Sequence, residues 1–159
     1  LKRTIKMPIR YFLKNHIVIF LSFIFFLGCS KDDDNSSDAP VGSWTVAYFI
    51  TDGDLKITKE DNPTWPEVND GEITATFGEP DGNGKGTLSG TSVSNSYAGS
   101  YTAKSNGELT IGFIASTLAT EPEWTSLYNI SAAQEFEIKN GQLFIYYNDR
   151  LNAIVFVRN

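Results

Sequence analysis

The residues able to do nucleophilic or metal chemistry are few: one cysteine and one histidine in 159 residues, Cys29 and His16. Both lie near the N-terminus, and residues 41–159 hold neither. A Ser-His-Asp or Cys-His nucleophile, an ordinary zinc site and an internal disulfide are therefore excluded from that body. Carboxylates remain as acid–base candidates. Glu135 and Glu137 alternate with Phe136 and Ile138, so period two places them together on the outer face of a strand. Exposed carboxylates keep ordinary acidity and make poor general acids. Asp81-Gly82-Asn83-Gly84-Lys85-Gly86 has the Asp, Asn and Gly of a calcium loop. Lys85, however, replaces its fifth-place oxygen ligand, and Ser92 stands where the bidentate glutamate belongs. As a phosphate loop the same stretch lacks the first glycine, and Gly86 separates Lys85 from Thr87. A hairpin connection is the expectation. Trp65, between Pro63 and Pro66, either lids the core or stands exposed to stack on a sugar or a partner.

Lys2, Arg3, Lys6, Arg10 and Lys14 precede an apolar run, Ile17 to Leu27, broken only by Ser22. Eleven residues are too few for a bilayer-spanning helix, which needs about twenty. A basic start, a short apolar core and a small residue before the cleavage point describe a secretory signal peptide over residues 1–28. Met7 is the chain's only methionine, and translation from it would leave a conventional leader; Leu1 is the other candidate start. Leu27-Gly28-Cys29 resembles the lipobox of bacterial lipoproteins, with Phe26 where that motif prefers leucine. The resemblance implies that Cys29 becomes the first residue of the mature chain and carries diacylglycerol and an acyl chain. One chain binds membranes only marginally, at roughly 0.8 kcal/mol per buried methylene; two or three make release negligible. Cys29 is then an anchor.

Residues 29–40 form the connecting segment. Ser30-Lys31-Asp32-Asp33-Asp34-Asn35-Ser36-Ser37-Asp38-Ala39-Pro40 has no large apolar side chain and cannot offset its backbone entropy by burial, so it reads as a disordered acidic tether. Lys31, Asp32, Asp33 and Asp34, directly after the cysteine, also resemble the surface-export signal of Bacteroidota-type outer-membrane lipoproteins. The chain holds 13 basic and 19 acidic side chains. Five of the basic ones precede residue 15, and the remainder carries net −11. Such a body repels nucleic-acid phosphate and anionic lipid.

The body must position whatever works there, and its pattern is mainly period two. Strands are expected at Trp44–Ile50, Glu72–Phe77, Gly86–Ser92, Tyr97–Ala103, Glu108–Gly112, Ala133–Lys139, Gln142–Tyr147 and Ala153–Val157, with a further short one at Leu55–Thr58. Asp52-Gly53, Asn106-Gly107 and Asn140-Gly141 mark turns. The period changes once. Glu121-Pro122-Glu123 are helix-start residues, and Trp124, Leu127 and Tyr128 share one face of a short helix ending near Ile130. Roughly eight strands and one helix in residues 41–159 predict a mainly β fold, a curled antiparallel sheet or small barrel with the helix before the last strands.

Ser94-Asn95-Ser96-Tyr97-Ala98-Gly99-Ser100-Tyr101, then Gly107 to Gly112, Ile114 to Thr117, Pro122-Glu123-Trp124 and the final hairpin, resemble the META domain. That family is marked by a Cys-Asn-x-Tyr-x-Gly-x-Tyr segment, a hairpin, a Thr-containing loop, a helix and a terminal hairpin. The likeness runs from about Glu72 to Asn159. It singles out Asn95, Tyr97, Gly99 and Tyr101 as motif residues, whose role in a strand face is structural. Ser94 and Thr120 stand where the family tends to place cysteines; a bridge there would be worth about 3–4 kcal/mol in the chain-entropy model, so this copy relies on packing. The family brings no catalytic residues with it. Val41-Gly42-Ser43-Trp44 is similar to the Gly-x-Trp opening of lipocalin-like proteins, whose barrels hold apolar ligands.

The expectation is a non-catalytic, surface-exposed outer-membrane lipoprotein of the cell envelope. It has a membrane anchor, no cofactor beyond the lipid on Cys29, and an envelope or extracellular protein as partner. The alternative is a lipocalin-like binder of a small apolar ligand.

Overall fold

The computed structural model describes residues 39–159. Nine antiparallel strands make one sheet: β1 Gly42–Thr51, β2 Leu55–Ile57, β3 Thr74–Phe77, β4 Lys85–Ser92, β5 Asn95–Ala103, β6 Leu109–Ser116, β7 Glu135–Lys139, β8 Gln142–Tyr147 and β9 Asn152–Arg158. Their spatial order is β6-β5-β4-β3-β1-β9-β8-β7, with β2 folded back on β1. The sheet curls until its two edges meet at one corner. There Glu108 bridges Glu135, the Leu109 N–H donates to the Gln134 carbonyl at 2.9 Å, and the Phe136 N–H donates to the Gly107 carbonyl at 2.8 Å. The result is a mainly β half-barrel, as the alternation predicts.

The expected helix is present in position and different in kind. Two 3-10 turns, Glu123–Leu127 and Ile130–Ala132, precede β7. A run this short gains too few bonds to nucleate an α-helix, and Pro122 fixes only its entry. β6 continues four residues past Gly112, and β3 starts two residues after Glu72. The short strand after Asp52-Gly53 forms.

Trp44, Phe49, Phe77, Leu88, Tyr101, Leu109, Leu143, Ile145, Ile154 and Phe156 fill the inside of the curl, each at most 1 % exposed. β1 reaches that core through a bulge. Its register against β9 shifts between Val46 and Tyr48, so Trp44 and Val46 point inward before the bulge and Phe49 after it. Tyr48 and Ile50 are thereby turned to the opposite face. There they join Phe144, Tyr146, Ala153 and Val155 in a second apolar cluster. Cations lie over its rings: Lys56 Nζ is 4.0 Å from the Tyr48 centroid, and Arg150 Cζ is 3.8 Å from that of Tyr146.

Trp65, from the loop after β2, is fully buried and lids the core. Its ring stacks on Trp124 at 4.5 Å between centroids and tilts against Phe49 at 5.1 Å, and its indole N–H donates to the Gly71 carbonyl at 2.9 Å. Of the two roles open to a proline-flanked tryptophan, this one is the packing role. At the other end of β1 the Trp44 indole N–H donates to the Pro40 carbonyl at 2.8 Å, fastening the chain where the N-terminal segment joins.

Candidate functional site

The four motif residues of β5 come together on its inner face, and each is occupied. Asn95 is the one buried polar residue among those described, 6 % exposed. An amide side chain offers two acceptor positions and two N–H groups, and all four are used. Its Oδ1 accepts from Thr117 Oγ1 at 2.9 Å and from the Ala119 N–H at 2.6 Å. Its Nδ2 donates to the Ala119 carbonyl at 2.9 Å and to Glu121 Oε1 at 2.7 Å. Glu121 in turn accepts from Ser92 Oγ at 2.7 Å and from the Ser94 N–H at 3.2 Å. One amide thus fastens the 117–121 connection to the β4–β5 hairpin.

Tyr97 and Tyr101 lie across the neighbouring strand, over its glycines. Register pairs Gly86 with Tyr101 and Gly90 with Tyr97. A Cβ on Gly86 would stand 2.4 Å from the Tyr101 ring, and one on Gly90 would stand 2.5 Å from the Tyr97 hydroxyl. Tyr101 donates to the Gly78 carbonyl at 2.7 Å, and Tyr97 donates to the Thr74 carbonyl at 2.8 Å. The Tyr97 hydroxyl also pairs with that of Tyr128 at 2.5 Å. Burial pushes the Tyr97 hydroxyl up to about 12, against a smaller lowering by the Tyr128 bond. Burial likewise lifts Tyr128 well above the ordinary tyrosine range. Both stay neutral at physiological pH. Gly99 sits at the bulge where Gly112 and Phe113 oppose Ser100, and a Cβ there would meet the Phe113 carbonyl at 2.5 Å. Together these residues form a hydrogen-bonded hub that ties β3 and β4 to β5 and to the 117–121 connection.

The remaining chemical candidates are equally tied down. Glu135 and Glu137 share the outer side of β7, as period two requires. Glu135 pairs with Arg150, and Glu137 accepts from Tyr146 Oη at 3.0 Å and from Lys139 Nζ at 3.3 Å. Partial burial works to raise the Glu137 carboxyl, but those donors and Arg150 outweigh it and hold it below the ordinary range. Asp81 spends Oδ1 on the N–H groups of Asn83 at 2.8 Å and Lys85 at 3.1 Å, which holds it below its usual range and makes the loop a hairpin connection. Among the described residues no group of three His, Cys, Asp or Glu side chains could hold a metal ion. Cys29, Lys31, Asp32, Asp33 and Asp34 lie outside the described residues.

One surface feature was invisible in the sequence. A groove of about 690 Å³ runs between β2 with its following loop and the Glu123–Leu127 turn, lined by Leu55, Ile57, Asp61, Glu123, Trp124 and Leu127 among others. Its walls come from two segments, residues 55–64 and 123–127, that are far apart in the sequence, and only the curl of the sheet brings them together. Thr117, Glu121 and Tyr128 were likewise missed as partners of the motif, since nothing in their spacing signals the contact.

The fold and this hub define a curled antiparallel β protein held by a buried amide and a tyrosine-over-glycine ladder. No model of a protein family and no curated protein matches the chain. Among solved structures it is similar to a DUF4847 family protein from Bacteroides vulgatus ATCC 8482. The two share 14 % identity at a TM-score of 0.56, over 74 % of this chain and 92 % of that one. At that identity the likeness concerns the fold alone.

Proposed function

We propose that the protein is a lipid-anchored, surface-exposed outer-membrane lipoprotein whose META-like β domain acts as a non-catalytic envelope or interaction module. The observation that carries the module reading is the full commitment of the motif residues: Asn95 uses every hydrogen-bonding position, and Tyr97 and Tyr101 are tied to backbone carbonyls. Groups spent on holding a fold are not free to bind or transform a substrate. The ion pairing of Glu135 and Glu137 on an outer face supports the same reading, since Glu137 is held below its ordinary range, away from that of a general acid. The anchor rests on Leu27-Gly28-Cys29 and the basic leader before it. Residues 41–159 carry 7 basic and 15 acidic side chains, which disfavours nucleic acid and anionic lipid as partners. A lipocalin-like ligand would need an enclosed apolar cavity of several hundred Å³, and the space inside this curl is taken by Trp44, Phe77, Tyr101 and Phe156.

The test compares wild type with Cys29→Ala in membrane fractions, and with neutralised Asp32–Asp34 in protease treatment of intact cells. Loss of membrane retention in the first and of protease accessibility in the second are the expected results. Unchanged retention would remove the anchor; unchanged accessibility would leave the acidic run as a tether only.

A further inference from the structure

We infer that the groove between β2 and the Glu123–Leu127 turn docks an extended peptide segment of a partner protein, aliphatic side chains inward and basic ones toward Glu123 and Asp61. The inference rests on the interaction-module reading and gives that module its contact surface.

Three observations converge. First, one wall is a strand edge. β2 pairs only with β1, so alternate N–H and C=O groups on its other side have no backbone partner among the described residues. Leu55 and Lys56 on it are exposed. A free edge beside a groove is the geometry of strand addition, in which main-chain bonds hold the incoming segment and pockets select alternate side chains. Second, the groove is mixed in the way such a segment needs. Leu55, Ile57, Trp124 and Leu127 give an apolar floor, and Asp61 and Glu123 give the lining two carboxylates against the single cation Lys56. Lys56 is already engaged over the Tyr48 ring. On a domain with eight more acids than bases, that lining favours a basic partner. Third, Trp124 Nε1 is the buried side-chain donor left without an acceptor among the described residues, and Trp124 lines this groove.

Position agrees. The N-terminal segment is fastened at the start of β1 through Pro40 and Trp44, whereas β2 folds back from its far end. Trp44 and Ile50, the residue of β1 that pairs with Lys56, lie six residues apart in the strand, which separates the two by roughly 20 Å at 3.3 Å per residue. A domain tethered at one end thus presents the groove at the other.

The experiment pans a phage-displayed library of random dodecapeptides against the full chain in detergent micelles, then measures enriched synthetic peptides on variants. Leu55→Asp and Glu123→Lys both change exposed groove residues that carry no core packing, so the fold should persist; circular dichroism checks this. Phe113→Asp, at the exposed bulge of β6, is the control surface. The expected result is enrichment of sequences alternating aliphatic residues with Lys or Arg, binding at least tenfold weaker to each groove variant and unchanged for Phe113→Asp. Peptides that bind the groove variants as well as wild type would overturn the groove while leaving the module reading standing. No enrichment at all would overturn the groove as a peptide site, and the module reading would then be decided by the membrane-retention and protease tests alone.

Discussion

Replacing Asn95 with alanine removes four hydrogen bonds at once and leaves their partners inside a half-buried corner. Three of the four are between neutral groups, to Thr117 and to both backbone groups of Ala119, and the fourth is to the Glu121 carboxylate. Net contributions of about 1 kcal/mol for each neutral bond and about 1.5–3 for the charged one sum to about 5 kcal/mol. The 117–121 connection is largely exposed, so some freed groups recover water, and about half that sum should survive as a loss of about 2–3 kcal/mol. Equilibrium urea unfolding reads this as a midpoint lower by about 1–2 M with an unchanged slope. Amide exchange at Ala119, whose N–H donates to the Asn95 side chain, should accelerate in step. Asn95→Asp should fare no better near neutrality, because it sets a second carboxylate against Glu121. It should recover as pH falls and the carboxylate pair takes up a proton. A midpoint loss worth under 1 kcal/mol, with Ala119 exchange unaltered, would refute the idea that one amide fastens this corner.

Three further outcomes are expected. Gly99→Ala should cost about 1–3 kcal/mol, measured by urea unfolding, since its Cβ meets a backbone carbonyl at 2.5 Å that no rotamer change can move aside. Trp65→Ala should cost about 3–5 kcal/mol in thermal or urea unfolding through the cavity left against Phe49 and Trp124. In alkaline solution the Tyr97 hydroxyl, held up to about 12, keeps its proton in the folded state after unfolded tyrosines have lost theirs near 10. Its stabilising contribution is therefore complete below about pH 10 and is lost as pH rises toward 12, at about 1.4 kcal/mol per pH unit. Tyr97→Phe should flatten that decline; an equally steep one would place its cause elsewhere.

The succession of strands along the body was legible because alternation and Asn-Gly turns are local signals, whereas the place of β1 between β3 and β9 was not. Glu135 and Glu137 fell on an outer face as their spacing required. The inner face of β1 was not legible: strict period two from Trp44 puts Tyr48 and Ile50 inside, and one bulge after Val46 sends Phe49 there in their place. The short helix was readable in position through Pro122 and Trp124, but not its 3-10 geometry, which depends on how tightly the connection must fold back over the core. Asn95, Tyr97, Gly99 and Tyr101 were visible as a motif, whereas their partners Thr117, Glu121, Tyr128 and the glycines of β4 were not. Those contacts depend on pairing and curl. The groove follows the same logic, since Leu55 and Trp124 meet only after the sheet closes.

Trypsin offers the most direct test of where the protein resides. Lys14 and Lys31 are consecutive cleavage points, so a processed and lipidated chain taken from native membranes should yield a tripeptide, Cys29-Ser30-Lys31. Mass spectrometry should find it carrying a diacylglyceryl thioether and an N-acyl group. Recovery of the continuous peptide Asn15 to Lys31 with an unmodified thiol would contradict the anchor, and with it the surface role built on it.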